Sequence, residues 1–198
     1  MKKISFLLVA ILITQMCFAQ LNLGIKGGIT TSKLYTSLSD YNEQSITGYY
    51  GGAFLRIKIN KFFLEPEIYY IHKGGDLFSS TEDKDYEIRL NSLDIPLLLG
   101  LKLIDLKVIK LSALAGPVAS FVTNNSVTYT QGGIHYEDPD ISNNLKNTNW
   151  GLQVGAMMDI LMFTIDVRYE VGLNEILNFN NNQLTNNVFL IGIGLKLL

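Results

Sequence analysis

The chain has 198 residues, 47% of them hydrophobic and 17% charged, with a formal net charge of −2. That length suits one compact domain or one small barrel and requires no second domain. No basic stripe suited to nucleic acid is present, and no segment beyond the N-terminus has an apolar run near twenty residues, which excludes a transmembrane helix. Any membrane crossing therefore falls to strands.

The beginning of the chain differs in kind from the rest. Met1-Lys2-Lys3 supplies positive charge, Ile4 to Ile13 form an apolar run, and Cys17-Phe18-Ala19 before Gln20 has the small-residue spacing of a cleavage site. We therefore expect a signal peptide over 1–19, cleaved after Ala19, and a barrel domain over 20–198. The apolar run is too short to span a bilayer as a helix. Gln15-Met16 before Cys17 lacks the small apolar residues of a lipidation site. Loss of Cys17 leaves a mature chain without thiols, hence without a disulfide framework or a Cys-based metal or redox site. Loss of Lys2 and Lys3 leaves 14 basic against 18 acidic residues, a net charge of −4.

From Leu21 the side chains alternate with period two, the signature of strands with one apolar face. Strand one, 21–32, sets Leu21, Leu23, Ile25 and Ile29 against Asn22, Gly24, Lys26, Gly28, Thr30 and Ser32. Strand two, 46–60, sets Tyr49, Ala53, Leu55, Ile57 and Ile59 against Tyr50, Gly52, Phe54, Arg56 and Lys58. After a tight turn at Asn60-Lys61, strand three sets Leu64, Pro66, Ile68 and Tyr70 against Glu65, Glu67 and Tyr69. Strand four, about Tyr86 to Leu103, sets Leu93, Ile95, Leu97, Leu99 and Leu101 against Ser92, Asp94, Gly100 and Lys102. Strand five, about Val108 to Val122, sets Leu111, Ala113, Ala115, Ala119 and Phe121 against Lys110, Ser112, Gly116 and Ser120.

The stretch Asn149 to Gly172 reads as a hairpin, strands six and seven. Trp150, Leu152, Val154, Ala156, Met158 and Ile160 lie on one face, continued after a break at Leu161-Met162 by Phe163, Ile165, Val167, Tyr169 and Val171. Gly151, Gln153, Gly155, Met157 and Asp159, then Thr164, Asp166, Arg168, Glu170 and Gly172, lie on the other. Strand eight, Asn187 to Leu198, sets Phe189, Ile191, Ile193, Leu195 and Leu197 against Gly192, Gly194 and Lys196.

Connections alternate in length. Tight turns fall near Asn60-Lys61, Ile104 to Lys107 and Leu161-Met162; longer polar loops are expected near 34–45, 74–85, 123–147 and 174–186. An outer-membrane barrel has this asymmetry, with short periplasmic turns and long outer loops. About twelve tilted residues at roughly 3.3 Å each supply the height of the apolar band. The expected fold is thus all-β, an eight-stranded antiparallel up-and-down transmembrane barrel.

The charged residues of the strand cores share the non-apolar face: Lys26, Arg56, Lys58, Glu65, Glu67, Asp94, Lys102, Lys110, Asp159, Asp166, Arg168, Glu170 and Lys196. An Arg or Lys facing lipid at the bilayer midplane costs about 2–4 kcal/mol, which accounts for the segregation. Alternation alone is symmetric, since a soluble ligand-binding barrel would turn the apolar face inward. Volume decides: so many bulky apolar side chains do not fit an eight-strand interior just wide enough for side chains to fill. Gly24, Gly28, Gly52, Gly100, Gly116, Gly151, Gly155, Gly172, Gly192 and Gly194 share the charged face, where a narrow lumen needs small residues beside long ones. The charged face is read as interior.

Tyr49, Tyr70, Phe121, Trp150, Tyr169 and Phe189 fall toward the long-loop end of the apolar face, with Phe63 and Phe163 beside tight turns, as interfacial aromatic girdles require. Pro66, Pro96 and Pro117 fall within central strands. Proline donates nothing to the ladder, so bulges or local irregularity are expected there.

Four motifs carry a family resemblance. Leu64-Glu65-Pro66-Glu67-Ile68-Tyr69-Tyr70, Leu93-Asp94-Ile95-Pro96-Leu97-Leu98, Ala115-Gly116-Pro117 and Asp166-Val167-Arg168-Tyr169-Glu170-Val171-Gly172-Leu173 follow one another in the order seen in the PorT-like outer-membrane β-barrel family, which the mature chain resembles over essentially its whole length. The resemblance implies outer-membrane residence; some members are linked to protein secretion. Such barrels commonly close on an aromatic residue, and this chain has Leu198 instead.

Glu65 with Glu67, and Asp166 with Glu170, have the composition of acid–base pairs, yet opposite Arg56, Lys58 and Arg168 they also suit an ion network that satisfies itself. A rim hydrolase would have to recruit His135 with Ser79, Ser80 or Thr81. His72 falls in the apolar phase of strand three. His135, Glu137, Asp138 and Asp140 have metal-ligand chemistry but read more simply as a solvated acidic loop. The sequence thus points to a non-enzymatic outer-membrane barrel with no cofactor and a charge-filled lumen. Its expected partners are outer-membrane lipid, the barrel-insertion machinery and an extracellular or envelope protein met through the outer loops. The alternatives are the His135 rim hydrolase and a soluble lipid-binding barrel.

Overall fold

Alternating side chains become, in three dimensions, the two faces of a closed wall. The computed structural model describes residues 21–36, 41–79, 85–131, 134–137, 146–179 and 182–197. The expected signal peptide, Ser80, Thr81, Asp138, Asp140 and Leu198 lie outside these residues, as do the side chains of Ser79, His135 and Glu137.

Eleven strands are present among the described residues: β1 (Leu21–Thr36), β2 (Tyr41–Gln44), β3 (Ile46–Ile59), β4 (Phe62–Ser79), β5 (Asp85–Asp105), β6 (Ile109–Gln131), β7 (Ile134–Glu137), β8 (Thr148–Ile160), β9 (Phe163–Gly172), β10 (Leu177–Phe179) and β11 (Asn182–Lys196). Eight of them form the wall in the order β1-β3-β4-β5-β6-β8-β9-β11, and β11 pairs with β1 to close it. Every neighbouring pair is antiparallel, so no edge is left in the ring. The three short strands add to it at one end: β2 pairs with β4, β7 with β6 and β10 with β11.

The apolar face looks outward. Ile165, Val167 and Ile193 are 37%, 42% and 58% exposed, whereas Asp166 between the first two is 1% exposed. A soluble barrel would bury these groups, and contiguous apolar exposure on this scale marks a surface that meets something other than water. Tyr49, Tyr70, Phe121, Trp150, Phe163, Tyr169 and Phe189 are all outward and exposed. Phe63 is not: it is buried inside, packed with Leu98, Leu114 and Met157. Its phase, shared with Glu65 and Glu67, overrides the preference of aromatics for a membrane interface, and the exposed ring beside that turn is Phe62.

Inward glycine answers inward aromatic across the wall. Phe63 pairs with Gly100, and a Cβ on Gly100 would stand 2.0 Å from the ring; Gly24, paired with Phe54, would meet that ring at 2.4 Å. Gly28, paired with Tyr50, repeats the arrangement, a Cβ there standing 2.8 Å from the ring. The missing side chain on one strand is the space its neighbour's ring fills.

One expectation needs correction and another is narrowed. The expected loops at 34–45, 74–85 and 123–147 are in large part strand, because β1, β4, β5 and β6 run on past the apolar band and β2 and β7 pair against them. The prolines give the local irregularity expected of them, as gaps in the ladder without a bulge. Pairing passes from Phe54↔Glu67 to Ile57↔Leu64 around Pro66, from Pro66↔Leu97 to Tyr69↔Asp94 around Pro96, and from Pro96↔Val118 to Leu99↔Ala115 around Pro117. The register is the same on both sides of each gap. Each proline keeps its pairing with the strand that follows and leaves unpaired the side where an N–H is lacking.

Register shifts lie elsewhere, between Asn91 and Ser92 and between Lys102 and Ile104. The first inserts Thr123 as an extra residue in β6, its hydroxyl donating to the Asn91 carbonyl at 3.1 Å. An extra residue reverses the faces of everything beyond it. Val127 and Tyr129 therefore turn inward, while Ser112 and Ser120, before the bulge, occupy the inward face at even positions.

Candidate functional site

Among the described residues, polar side chains from all eight wall strands converge in the barrel interior. Lys26 of β1 holds three carboxylates through Nζ, Glu67 Oε1 at 2.6 Å and Glu65 Oε1 and Asp166 Oδ2 at 3.2 Å each. Arg56 of β3 bonds Glu65 through Nε and Asp159 through Nη1 at 2.8 and 3.0 Å. Arg168 of β9 donates from Nε to Asp166 at 2.7 Å and from Nη1 to Glu67 at 2.8 Å, and it reaches Tyr50 Oη at 3.2 Å. Gln153 of β8 accepts from Arg168 at 3.1 Å and donates to Glu170 at 2.7 Å and to Tyr69 Oη at 2.6 Å.

Toward the extended end, Lys73 of β4 stands 2.9 Å from Asp94 of β5, donates to Ser120 of β6 at 2.9 Å and lies 3.6 Å from Glu170. Toward the tight turns, Lys196 of β11 meets Asp159 at 3.2 Å. These contacts form one chain of ion pairs and hydrogen bonds that touches all eight wall strands. Alternation places each participant inward, and the pairings Gln153↔Glu170 and Lys26↔Gly194 show how a long group reaches inward beside a partner or beside space.

Ten of the sequence-selected residues are brought together in this chain: Lys26, Arg56, Glu65, Glu67, Asp94, Asp159, Asp166, Arg168, Glu170 and Lys196. Lys58, Lys102 and Lys110 stand apart at the tight-turn mouth. Lys102 donates to the Asn60 carbonyl at 2.9 Å and lies 3.7 Å from Asp105, Lys110 lies 3.3 Å from Asp105, and Lys58 carries no ion pair among the described residues. The sequence reading missed Lys73. Continuing the strand-three alternation from Tyr69 through Ile71 to Lys73 would have found it, since all three are buried on one face.

The polar belt is bounded by apolar packing. Phe63, Leu98, Leu114 and Met157 pack near the tight-turn end, and Met157 Sδ accepts from Arg56 at 2.9 Å. Tyr50, Tyr69, Ile71, Val188 and Leu190 pack within the belt, their two rings 5.2 Å apart. In the extension, Leu34, Leu77, Ile88, Leu90, Val127, Ile176 and Leu184 form an apolar core with Tyr86 and Val122 packed against it, and the rings of Tyr86, Tyr129 and Tyr136 follow one another at separations of 6.0 and 5.3 Å.

Chemically the belt can neutralise itself and exclude water; each carboxylate is engaged by a cation or a donor. No set of three or more His, Cys, Asp or Glu side chains placed to hold a metal is found among the described residues. His72 is taken up locally, stacked on Tyr49 at 5.8 Å with Nδ1 2.8 Å from Asn91 Oδ1. His135 lies in β7 opposite Thr130.

Several solved structures are similar to this chain. OprG from Pseudomonas aeruginosa is similar in structure with a TM-score of 0.50 and 14% identity over 88% of this chain and 95% of that one. Ail, the attachment invasion locus protein of Yersinia pestis, gives 0.47 and 14% over 88% and 97%, and Neisserial surface protein A (NspA) gives 0.46 and 14% over 88% and 96%. At 14% identity the likeness to OprG concerns the fold alone. No curated protein sequence matches the chain. Residues 18–178 match the family described as outer membrane protein beta-barrel domain. The chain belongs to that family and is a β-barrel protein of the cell outer membrane.

Proposed function

We propose that this protein is a non-enzymatic, closed outer-membrane barrel of the PorT-like kind, exported by a signal peptide over 1–19 that is cleaved after Ala19, with 20–198 as its mature barrel domain. It serves as a rigid membrane-held platform whose outer extension meets an extracellular or envelope protein, after insertion by the barrel-assembly machinery. The observation that carries this reading is the single ion network touching all eight wall strands. Side chains so tied leave no water column, and a plug of this kind braces the wall against the cost of leaving any one charge unpaired.

The experiment is conductance. The purified protein in a planar bilayer is expected to give no stable open-channel steps at moderate voltage; a steady ohmic conductance from single barrels would overturn the closed lumen. Crosslinking in intact cells from positions in the extension, compared with positions at the tight turns, tests the platform. Specific protein adducts are expected from the extension, and adducts confined to the turns would overturn it.

A further inference from the structure

The tight-turn mouth of the lumen holds a feature that the closed plug does not use. A cavity of about 410 Å³ opens there, and six cationic side chains line it: Arg56, Lys58, Lys102, Lys107, Lys110 and Lys196. Asp159 is the one carboxylate among the described lining residues, and it is already shared between Arg56 and Lys196. Asp105 reaches Lys102 and Lys110 from beside the cavity, while Lys58 and Lys107 have no ion pair among the described residues. Deeper in the lumen the balance runs the other way, with three cations, Lys26, Lys73 and Arg168, set among five carboxylates, Glu65, Glu67, Asp94, Asp166 and Glu170. Here positive charge is gathered around space, which raises the local concentration of anions.

We infer that this mouth is a binding site for a phosphate-bearing anion. Lysine ammoniums are flexible point donors with no acceptor capacity, suited to the several oxygens of a phosphate group. The narrow barrel wall limits the occupant to a headgroup or a small solute, since no folded protein surface enters it. The turns around the opening carry exposed Leu106, Val108, Leu161 and Met162, which sets the mouth at the level where acyl chains give way to headgroups. Two sources therefore present the same chemistry: a lipid phosphate of the adjoining leaflet, and a free phosphate compound in the periplasm. Binding here does not depend on whether the lumen conducts, so a conducting barrel would overturn the closed plug and leave this site standing.

The test is calorimetric titration of the purified protein in a neutral detergent with sodium pyrophosphate. Saturable binding is expected, weakened roughly three- to tenfold by Lys58→Gln or Lys107→Gln, which remove unpaired charges, and retained in Lys58→Arg. Heat-modifiable migration of each variant checks that it is folded. Absence of saturable binding up to about 10 mM, beyond which no useful site exists, or wild-type affinity in both glutamine variants, would overturn the inference. The source is resolved by repeating the titration in nanodiscs. Competition by phosphatidylglycerol but not phosphatidylcholine assigns the site to lipid, and unchanged affinity in both assigns it to free solute; either result supports a phosphate site.

Discussion

The barrel wall changes its logic partway along its length. At the height of the apolar band, strands show Ile, Leu and Val outward and enclose Lys26, Arg56, Glu67, Asp166 and Arg168. In the extension the same strands enclose Leu34, Leu77, Ile88, Leu90 and Val127, while on the outer side Arg89 pairs with both Asp76 and Glu87, its Nη1 2.5 Å from Asp76 and its Nη2 3.4 Å from Glu87. What surrounds the wall sets which face is apolar. Beside acyl chains the outer face must be apolar and the interior can be ionic; beside water the hydrophobic effect returns the apolar groups to the inside. Thr123 marks the change in β6, where one inserted residue reverses the faces without ending the strand.

Substitutions in the two regions should therefore fail differently, and the largest effect is expected in the ionic belt. Lys26→Met leaves Glu65, Glu67 and Asp166 without their shared cation and should cost about 3–5 kcal/mol in denaturant titration from lipid vesicles. A cost below about 1 kcal/mol would mean that the network contributes little to holding the wall together. Next comes Val167→Arg, which sets a charge against lipid for about 2–4 kcal/mol and should reduce insertion more than Asp166→Asn does. Equal insertion yields for these neighbours would contradict the assignment of faces.

A third substitution separates the regions. Leu90→Ala opens a hole in the core of the extension and should cost about 2–4 kcal/mol locally, read as faster proteolysis of the extension, with heat-modifiable migration of the barrel retained. Loss of both together would show that the two regions unfold as one. The smallest effect is expected at the mouth, where Lys58→Gln removes a charge with no ion-pair partner and should shift stability by less than about 0.5 kcal/mol, measured by the same denaturant titration.

Much of the wall was legible in the sequence because a membrane enforces alternation so strictly. One residue of slip would turn Asp166 or Arg168 to lipid, so the phase of each strand is visible from its charges. The extension was illegible for the converse reason. Its polar outer residues resemble loop composition, and the Thr123 insertion breaks the period at the point where the pattern would have continued. Lys73 was missed because the alternation was followed only as far as His72, one residue short, and Phe63 was misplaced because aromatic preference was allowed to outweigh phase. The ion pairs themselves needed coordinates, since residues as distant as Arg56 and Asp159 meet only when the wall closes. The sequence held the charges of the mouth too, but their clustering depends on which strand ends gather at one rim.

The direction of the apolar face can be read in the unmodified protein, whose single tryptophan, Trp150, lies outward and exposed. In vesicles of phospholipid brominated along the acyl chain, its fluorescence is expected to be strongly quenched relative to unbrominated lipid and little affected by aqueous iodide. Fluorescence indifferent to the brominated chains would place Trp150 away from lipid and contradict the outward apolar face.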